Sequence, residues 1–120
     1  MRIFILEDDP NRMAWFNTFF AGHDITHAES CLHVNRFSPP YNVVFFDHDL
    51  GGRQLEDHED NGELFAKVVQ NRIGDAIVII HSFNPEGARA IKSLVGGYIA
   101  PFRFSFFNDL ATQIQRGIQP

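Results

Sequence analysis

Residues 3–10 read Ile3-Phe4-Ile5-Leu6-Glu7-Asp8-Asp9-Pro10, an apolar run that ends abruptly in acidic side chains. An unbroken apolar run of this length is typical of a parallel β-strand that helices cover on both faces. Asp9 and Pro10 together signal a helix start, because aspartate caps helix N-termini and proline suits the first helical position. The stretch therefore predicts a buried strand that passes directly into a helix.

The same alternation of apolar runs and helix-period segments continues along all 120 residues. Further strands are predicted over Asp24–Ala28, Asn42–Phe46, Ala76–Ile80 and Tyr98–Ala100. Helices are predicted after each strand, beginning near residues 10, 30, 61, 84 and 107, and the third is expected to turn Leu64, Phe65, Val68 and Val69 inward. Successive parallel strands need a helix-length return. The pattern thus predicts one α/β domain over residues 1–120, a flavodoxin-like, three-layer α/β/α sandwich around a five-stranded parallel sheet.

Composition narrows the class of protein. The hydrophobic fraction of 44% is that of a folded globular chain. The formal net charge is −5 and the ten Lys and Arg residues are scattered, so we expect no extended nucleic-acid binding. No apolar run approaches the roughly 18 residues of a membrane span. Cys31 has no second cysteine to pair with, and no secretory signal is recognisable, which favours the cytoplasm.

Acidic residues follow two of the predicted strands directly. Ligand sites in such sheets lie outside the carboxyl ends of the strands, which selects Glu7, Asp8, Asp47 and Asp49. Carboxylates that gather at one point repel one another unless a cation compensates, and oxygen ligands suit Mg²⁺ or Mn²⁺. The four residues are therefore candidate metal ligands, with helix caps and solvated strand ends as the alternative.

A second group of polar residues follows the fourth predicted strand. Ser82 and the helix start at Asn84 offer a hydroxyl and unpaired backbone N–H groups, which makes them candidate phosphate ligands. The alternative is that Asn84 merely caps the helix. His81 and His48 titrate near neutrality and are candidates for proton transfer or metal binding. The charged run over residues 56–60 is expected to be solvated.

Residues 3–10, with Asp47 after the third strand, resemble the receiver domains of two-component response regulators. That resemblance implies that Glu7 and Asp8 bind Mg²⁺ and that Asp47 accepts phosphate. Receivers usually carry a small hydroxyl residue after the fourth strand and a lysine after the fifth. This chain has His81 and Ala100 at those positions.

A narrower resemblance is to the cyclic-phosphate-processing receiver domains. It is carried by three segments, Phe46-Asp47-His48-Asp49-Leu50-Gly51, Asn61-Gly62 and His81-Ser82-Phe83-Asn84-Pro85-Glu86-Gly87. The family implies a phosphoesterase role on cyclic phosphates at RNA ends.

Two hypotheses follow. The first is a metal-dependent phosphoesterase that acts on a small phosphorylated ligand or an RNA terminus, with a 2′,3′-cyclic phosphate as one candidate. Its catalytic residues would be His81, His48 and Asp47. The second is a non-catalytic receiver-like signalling or interaction module, with Asp47 as the candidate phosphate acceptor. Its protein partner would bind the face formed by Tyr98, Phe102, Phe104 and Phe106.

Overall fold

A computed structural model describes residues 1–50, 60–102 and 104–117, with side chains from residue 107 onwards in the last range. Five parallel strands form one sheet in the order β2-β1-β3-β4-β5. Their bounds are Arg2–Leu6 for β1, Asp24–Ala28 for β2, Val43–Phe46 for β3, Ile77–Ile80 for β4 and Tyr98–Ile99 for β5. Every predicted strand is thus present, in the flavodoxin-like topology that the sequence predicts.

Within the described ranges four α-helices return over the sheet, and their bounds are Pro10–Phe19 for α1, Gly62–Val69 for α2, Pro85–Val95 for α3 and Phe104–Gln115 for α4. The predicted second helix forms as a 3-10 helix, Cys31–Arg36, and a 3-10 turn, Gln70–Arg72, extends α2. Both predicted caps are confirmed. The Asp9 side chain accepts from the backbone N–H groups of Asn11 and Arg12, and the Asn84 side chain accepts from Gly87.

The sheet separates two apolar layers, because successive residues of a strand face opposite sides. Phe4 and Leu6 of β1 pack with α2 and α3, whereas Ile3 and Ile5 pack with α1 and α4. Phenylalanine rings supply much of the volume on both sides, as the buried rings show: Phe4, Phe16, Phe20, Phe37, Phe45, Phe46, Phe65 and Phe107. The three-layer sandwich is therefore confirmed.

One predicted helix face is rotated in the structure. Leu64 and Val68 of α2, expected to point inward, are 38% and 55% exposed. The other two residues expected inward, Phe65 and Val69, are buried as predicted, and Gly62 and Ala66 complete the buried stripe at helical spacing. Gly62 fits against the end of β3 because it has no side chain, and this close approach sets the rotation of the helix. The sequence also predicts that the last helix is amphipathic, with Phe107, Leu110, Ile114 and Ile118 on its apolar face, and Ile118 lies outside the described residues.

The strand register decides what meets at the carboxyl edge of the sheet. Leu6, Phe46 and Ile80 are aligned across β1, β3 and β4. The residues that follow them are therefore neighbours at the same level. None of the helices in the described ranges is long and apolar enough to cross a membrane.

Candidate functional site at the carboxyl ends of the strands

Three adjacent strands each place one polar side chain at the carboxyl edge of the sheet. Glu7 follows β1, Asp47 follows β3 and His81 follows β4. All three are buried, and each offers an atom within 4.8 Å of the others. Two of these residues are predicted metal ligands, and His81 is a predicted catalytic group. The structure thus brings together one predicted site residue from the end of each of β1, β3 and β4.

The Glu7 carboxylate is the centre of this cluster. One oxygen, Oε2, accepts from the backbone N–H groups of Asp8 and Asp9, both at 3.0 Å. The other, Oε1, lies 2.9 Å from His81 Nε2 and 2.8 Å from Arg12 Nε. Burial alone raises the pKa of Glu7, but hydrogen bonds from His81 and Arg12 outweigh it and lower the pKa to about 2. Glu7 is therefore an ionised acceptor at neutral pH.

His81 is held in one orientation. Because the Glu7 carboxylate only accepts hydrogen bonds, His81 Nε2 is the donor in their contact. The imidazole lies among phenyl rings, with Phe16 and Phe107 at 5.4 and 6.2 Å between centroids. Its other nitrogen, Nδ1, is buried and has no hydrogen-bond partner among the described residues. His81 is therefore a buried donor to Glu7 whose second ring nitrogen makes no hydrogen bond within the described part of the chain.

Arg12 is a site residue that the sequence analysis missed. Its guanidinium binds Glu7 through Nε and through Nη2, the latter 3.1 Å from Oε2, and Nη2 also lies 3.4 Å from Asp47 Oδ2. Arg12 stands in the first turn of α1, where the helix dipole disfavours positive charge. That unfavourable position, directly after an acidic strand end, is the signal that could have identified it.

Asp47 is nearly buried, with its side chain 5% exposed. Its Oδ1 accepts from the backbone N–H of His48 at 2.9 Å, and its Oδ2 faces Arg12. Burial raises the pKa of Asp47 to about 6 and the charge of Glu7 adds to the rise, against opposing contributions from His81 and Arg12. Asp47 therefore carries an ionisation cost that a further cation would relieve.

Asp8 lies beside this cluster rather than in it. Asp8 is half-buried and lines a cavity of about 320 Å³ with Glu7, Asp9, His27 and Glu29. It is outside the group of described residues whose ligand atoms lie within 4.8 Å of one another. The predicted acidic pair is thus split between the buried Glu7 carboxylate and the half-buried Asp8, which lines an acidic cavity.

Asp49 belongs to a separate, more exposed cluster. Its side chain is 70% exposed, and Oδ1 lies 2.9 Å from His48 Nδ1 and 3.3 Å from Asn84 Nδ2. The contact with His48 lowers the pKa of Asp49, so the carboxylate accepts and Nδ1 donates. Gly87 brings α3 against the His48 ring so closely that a Cβ would overlap it. His48 and Asp49 thus form an oriented imidazole–carboxylate pair.

The candidate phosphate ligands are engaged in capping. The Ser82 hydroxyl is buried and accepts from the backbone N–H of Asn84 at 3.0 Å. Asn84 Oδ1 accepts from the Gly87 N–H at 3.0 Å. The Asn84 contact is that of the capping alternative, and the role of Ser82 and Asn84 as phosphate ligands stays a prediction.

Asp60 corrects one expectation about the charged run over residues 56–60. It is buried rather than solvated, with oxygens 2.9 Å from Ser30 Oγ and from the Cys31 backbone nitrogen. Residues 56–59 of that run lie outside the described residues. Asp60 fixes the start of α2 against the 3-10 helix, a structural role that charge patterning alone does not reveal.

The predicted partner face lies partly within the described residues. Tyr98 is 44% exposed and the neighbouring Ile99 39% exposed, whereas Phe102 is buried in the core with 4% exposure. Phe102 is therefore unavailable to a partner, because its ring packs against Phe107. The side chains of Phe104 and Phe106 lie outside the described residues.

The donors of the cluster fit a divalent cation. Carboxylate oxygens suit Mg²⁺ and Mn²⁺, and an imidazole nitrogen favours a transition metal over Mg²⁺. The cluster offers two carboxylates and one imidazole, with one possible ligand atom from each lying within 4.8 Å of the others. A set with Glu7, Asp47 and His81 therefore suits Mn²⁺ well, and a set of carboxylates alone suits Mg²⁺.

Comparison with solved structures places the fold. The chain is similar to the response regulator TrrA from Thermotoga maritima in complex with Mg²⁺-BeF, with a TM-score of 0.70, 20% identity and 96% of each chain covered. It is similar to the response regulatory domain of mrkE from Klebsiella pneumoniae, with a TM-score of 0.66, 17% identity and coverage of 98% and 97%. The Mn²⁺-bound response regulator Rcp1 gives a TM-score of 0.66, 14% identity and coverage of 95% and 91%.

Comparison of sequences adds nothing further. No family model matches the chain. No curated protein is significantly similar to it. The narrower resemblance to cyclic-phosphate-processing domains is thus not supported and stays a prediction. The structural neighbours are response-regulator receiver domains, and the chain has the receiver-domain fold.

Proposed function

We propose that this chain is a receiver-like signalling module that binds Mg²⁺ or Mn²⁺ at Glu7, Asp8 and Asp47 and accepts a phosphoryl group on Asp47. The observation that carries the proposal is the convergence of Glu7, Asp47 and His81 at the strand ends of a receiver fold. Two structural neighbours, TrrA and Rcp1, are described with Mg²⁺-BeF and with Mn²⁺. The input would be a phosphoryl donor, and the output a protein partner.

The chain's own residues would divide the work as follows. Glu7 is fixed by backbone donors and by His81, so it presents a rigid negative charge. Asp47 would supply the nucleophilic oxygen, which bonds to phosphorus as the bond to the donor's leaving group breaks and the leaving group departs with the electron pair. A bound divalent cation would neutralise charge on the phosphoryl oxygens. Ala100 stands where receivers carry lysine, so this position supplies no positive charge. Among the described residues, Arg12 places a positive charge beside Asp47.

The first prediction concerns metal and a phosphoryl analogue. Mn²⁺ at about ten times its dissociation constant should stabilise the folded protein by about 1.4 kcal/mol, because an ion bound only by the native state stabilises it by mass action. Beryllofluoride added with Mg²⁺ should raise the melting temperature further. Differential scanning fluorimetry measures both shifts.

Asp47→Asn should abolish the shift from beryllofluoride and reduce the shift from metal. Asp75→Asn removes the same charge from an exposed position and should leave both unchanged. A full metal shift in Asp47→Asn would place the ion elsewhere. A metal shift without any response to beryllofluoride would contradict the phosphate-accepting role of Asp47.

A phosphoesterase is the second candidate, favoured by one observation. Two imidazoles, His81 and His48, are each oriented by a carboxylate at the edge that holds Asp47. The Asp49 contact leaves His48 Nε2 as the nitrogen able to take a proton. Turnover of nucleoside 2′,3′-cyclic phosphates with Mn²⁺, lost in Asp47→Asn and in His48→Gln, would establish this function. A stable beryllofluoride complex without turnover would favour signalling.

A further inference from the structure

Arg12 occupies the carboxylate oxygens that a metal ion at this site would bind. Its guanidinium is bound to both oxygens of Glu7 and to one oxygen of Asp47. We propose that Arg12 is an internal counter-cation that closes the site in the metal-free protein, and that a divalent cation binds Glu7 and Asp47 by displacing the guanidinium. This inference rests on the metal binding proposed above and names the residue that sets its affinity.

The oxygens of Glu7 and Asp47 already accept hydrogen bonds in the metal-free protein. Glu7 Oε1 accepts from Arg12 and His81, Glu7 Oε2 accepts from Arg12 and two backbone N–H groups, and Asp47 Oδ2 faces Arg12. Direct ligation places oxygen at about 2.0–2.2 Å from Mg²⁺ or Mn²⁺. A guanidinium at 2.8–3.4 Å from the same oxygens would then overlap the ion and repel it. Both cations cannot be held at once by Glu7, because its two oxygens already accept hydrogen bonds from Arg12, His81 and two backbone N–H groups.

The Arg12 side chain is free to move away from the two carboxylates. Its backbone N–H is held by the Asp9 cap at 3.0 Å, so the first turn of α1 does not depend on the guanidinium. The Arg12 side chain is 26% exposed and can rotate toward solvent. His81, in contrast, is fully buried among phenyl rings and must stay. Arg12 is therefore the movable contact of the cluster.

The charges of Glu7 and Asp47 need a compensating cation whether or not metal is bound. Two buried carboxylates without a cation would repel each other across the site. Arg12 compensates them in the metal-free protein, at the cost of a positive charge at the positive end of a helix. A divalent ion supplies twice the charge at shorter distance and releases Arg12 from that position. The metal affinity is thus the difference between two competing cations, and weakening Arg12 should strengthen metal binding.

The test is a calorimetric titration of Mn²⁺ into the full chain and its variants. Arg12→Gln should bind Mn²⁺ about tenfold more tightly, because charge-assisted hydrogen bonds no longer compete. Arg12→Lys should fall between, since it keeps the charge but loses the two-nitrogen fork. Arg89→Gln removes an exposed charge from α3 and should match the parent. Equal or weaker binding by Arg12→Gln overturns the inference.

A second measurement follows Arg12 itself. In a nitrogen-15 spectrum the Arg12 Nε–H, bound to Glu7, should be slow to exchange without metal and should shift and exchange rapidly at saturating Mg²⁺. An Arg12 Nε–H signal that is unchanged at saturating Mg²⁺ overturns the displacement. If Arg12→Gln does not fold, this spectrum and the Mn²⁺ affinity of Arg12→Lys together test the inference. If the parent binds Mn²⁺ and Arg12→Gln binds no tighter, this inference alone fails. If no variant binds Mn²⁺, the proposed metal function fails with it.

Discussion

Replacing Glu7 by alanine is expected to lower the free energy of unfolding by about 3–5 kcal/mol at neutral pH, the cost of leaving one side of a buried ion pair alone. The carboxylate accepts from two backbone N–H groups, from Arg12 and from His81. Without it the buried His81 donor has no acceptor, and Arg12 faces only Asp47. Urea unfolding followed by circular dichroism measures the loss.

Glu29→Ala is the matched control, because it removes the same charge from a side chain that is 46% exposed, and its effect should stay within about 0.5 kcal/mol. A double-mutant cycle tests the partner. His81→Phe keeps a ring among the phenyl rings and removes the Nε2 donor, so in that background Glu7→Ala should cost about 1–3 kcal/mol less. Additive losses would show that Glu7 does not act through His81.

Much of the fold was predictable because both faces of the three central strands, β1, β3 and β4, are buried. The apolar runs at Ile3–Leu6 and Val43–Phe46 have no alternative position in a small domain, and the Asp-Pro and Asn-Pro pairs fix where α1 and α3 begin. The rotation of α2 was not predictable. Apolar periodicity allowed a stripe through Leu64 and Val68, and the contact of Gly62 with the β3 end selected a different one.

The site was predictable only where chemistry follows a strand directly. Glu7, Asp47 and His81 occupy the first position after three aligned strands, so register alone brings them together. Positions further along depend on how the chain turns, which spacing does not encode. Asp49 therefore pairs with His48 outside the buried cluster. Arg12 reaches the cluster from a helix, through a long side chain whose direction no pattern in the sequence specifies.

Asp47→Asn is expected to stabilise the metal-free protein at about pH 7.5, by about 2–3 kcal/mol, because the folded state pays to ionise this buried carboxylate. Burial raises the pKa of Asp47 from 3.8 to about 6. A carboxyl group with a raised folded pKa contributes stability below about pH 3.8 and loses it as the pH rises through about 6. The asparagine side chain does not ionise, so the variant buries no charge at any pH. Its advantage over the parent should therefore vanish as the pH falls toward about 4, where Asp47 of the folded parent is protonated.

Urea midpoints of both proteins in EDTA, between about pH 7.5 and about pH 4, measure this difference. Glu7 titrates in both chains, so its own loss of stability in acid, as the pH falls from about 4.5 toward its lowered pKa of about 2, largely cancels. Asp49→Asn is the control of opposite sign. His48 lowers the pKa of Asp49, so that variant should be the less stable one at neutral pH, and its deficit should shrink in acid. If Asp47→Asn were instead less stable than the parent at neutral pH, the contact of Asp47 with Arg12 would outweigh the cost of burying its charge.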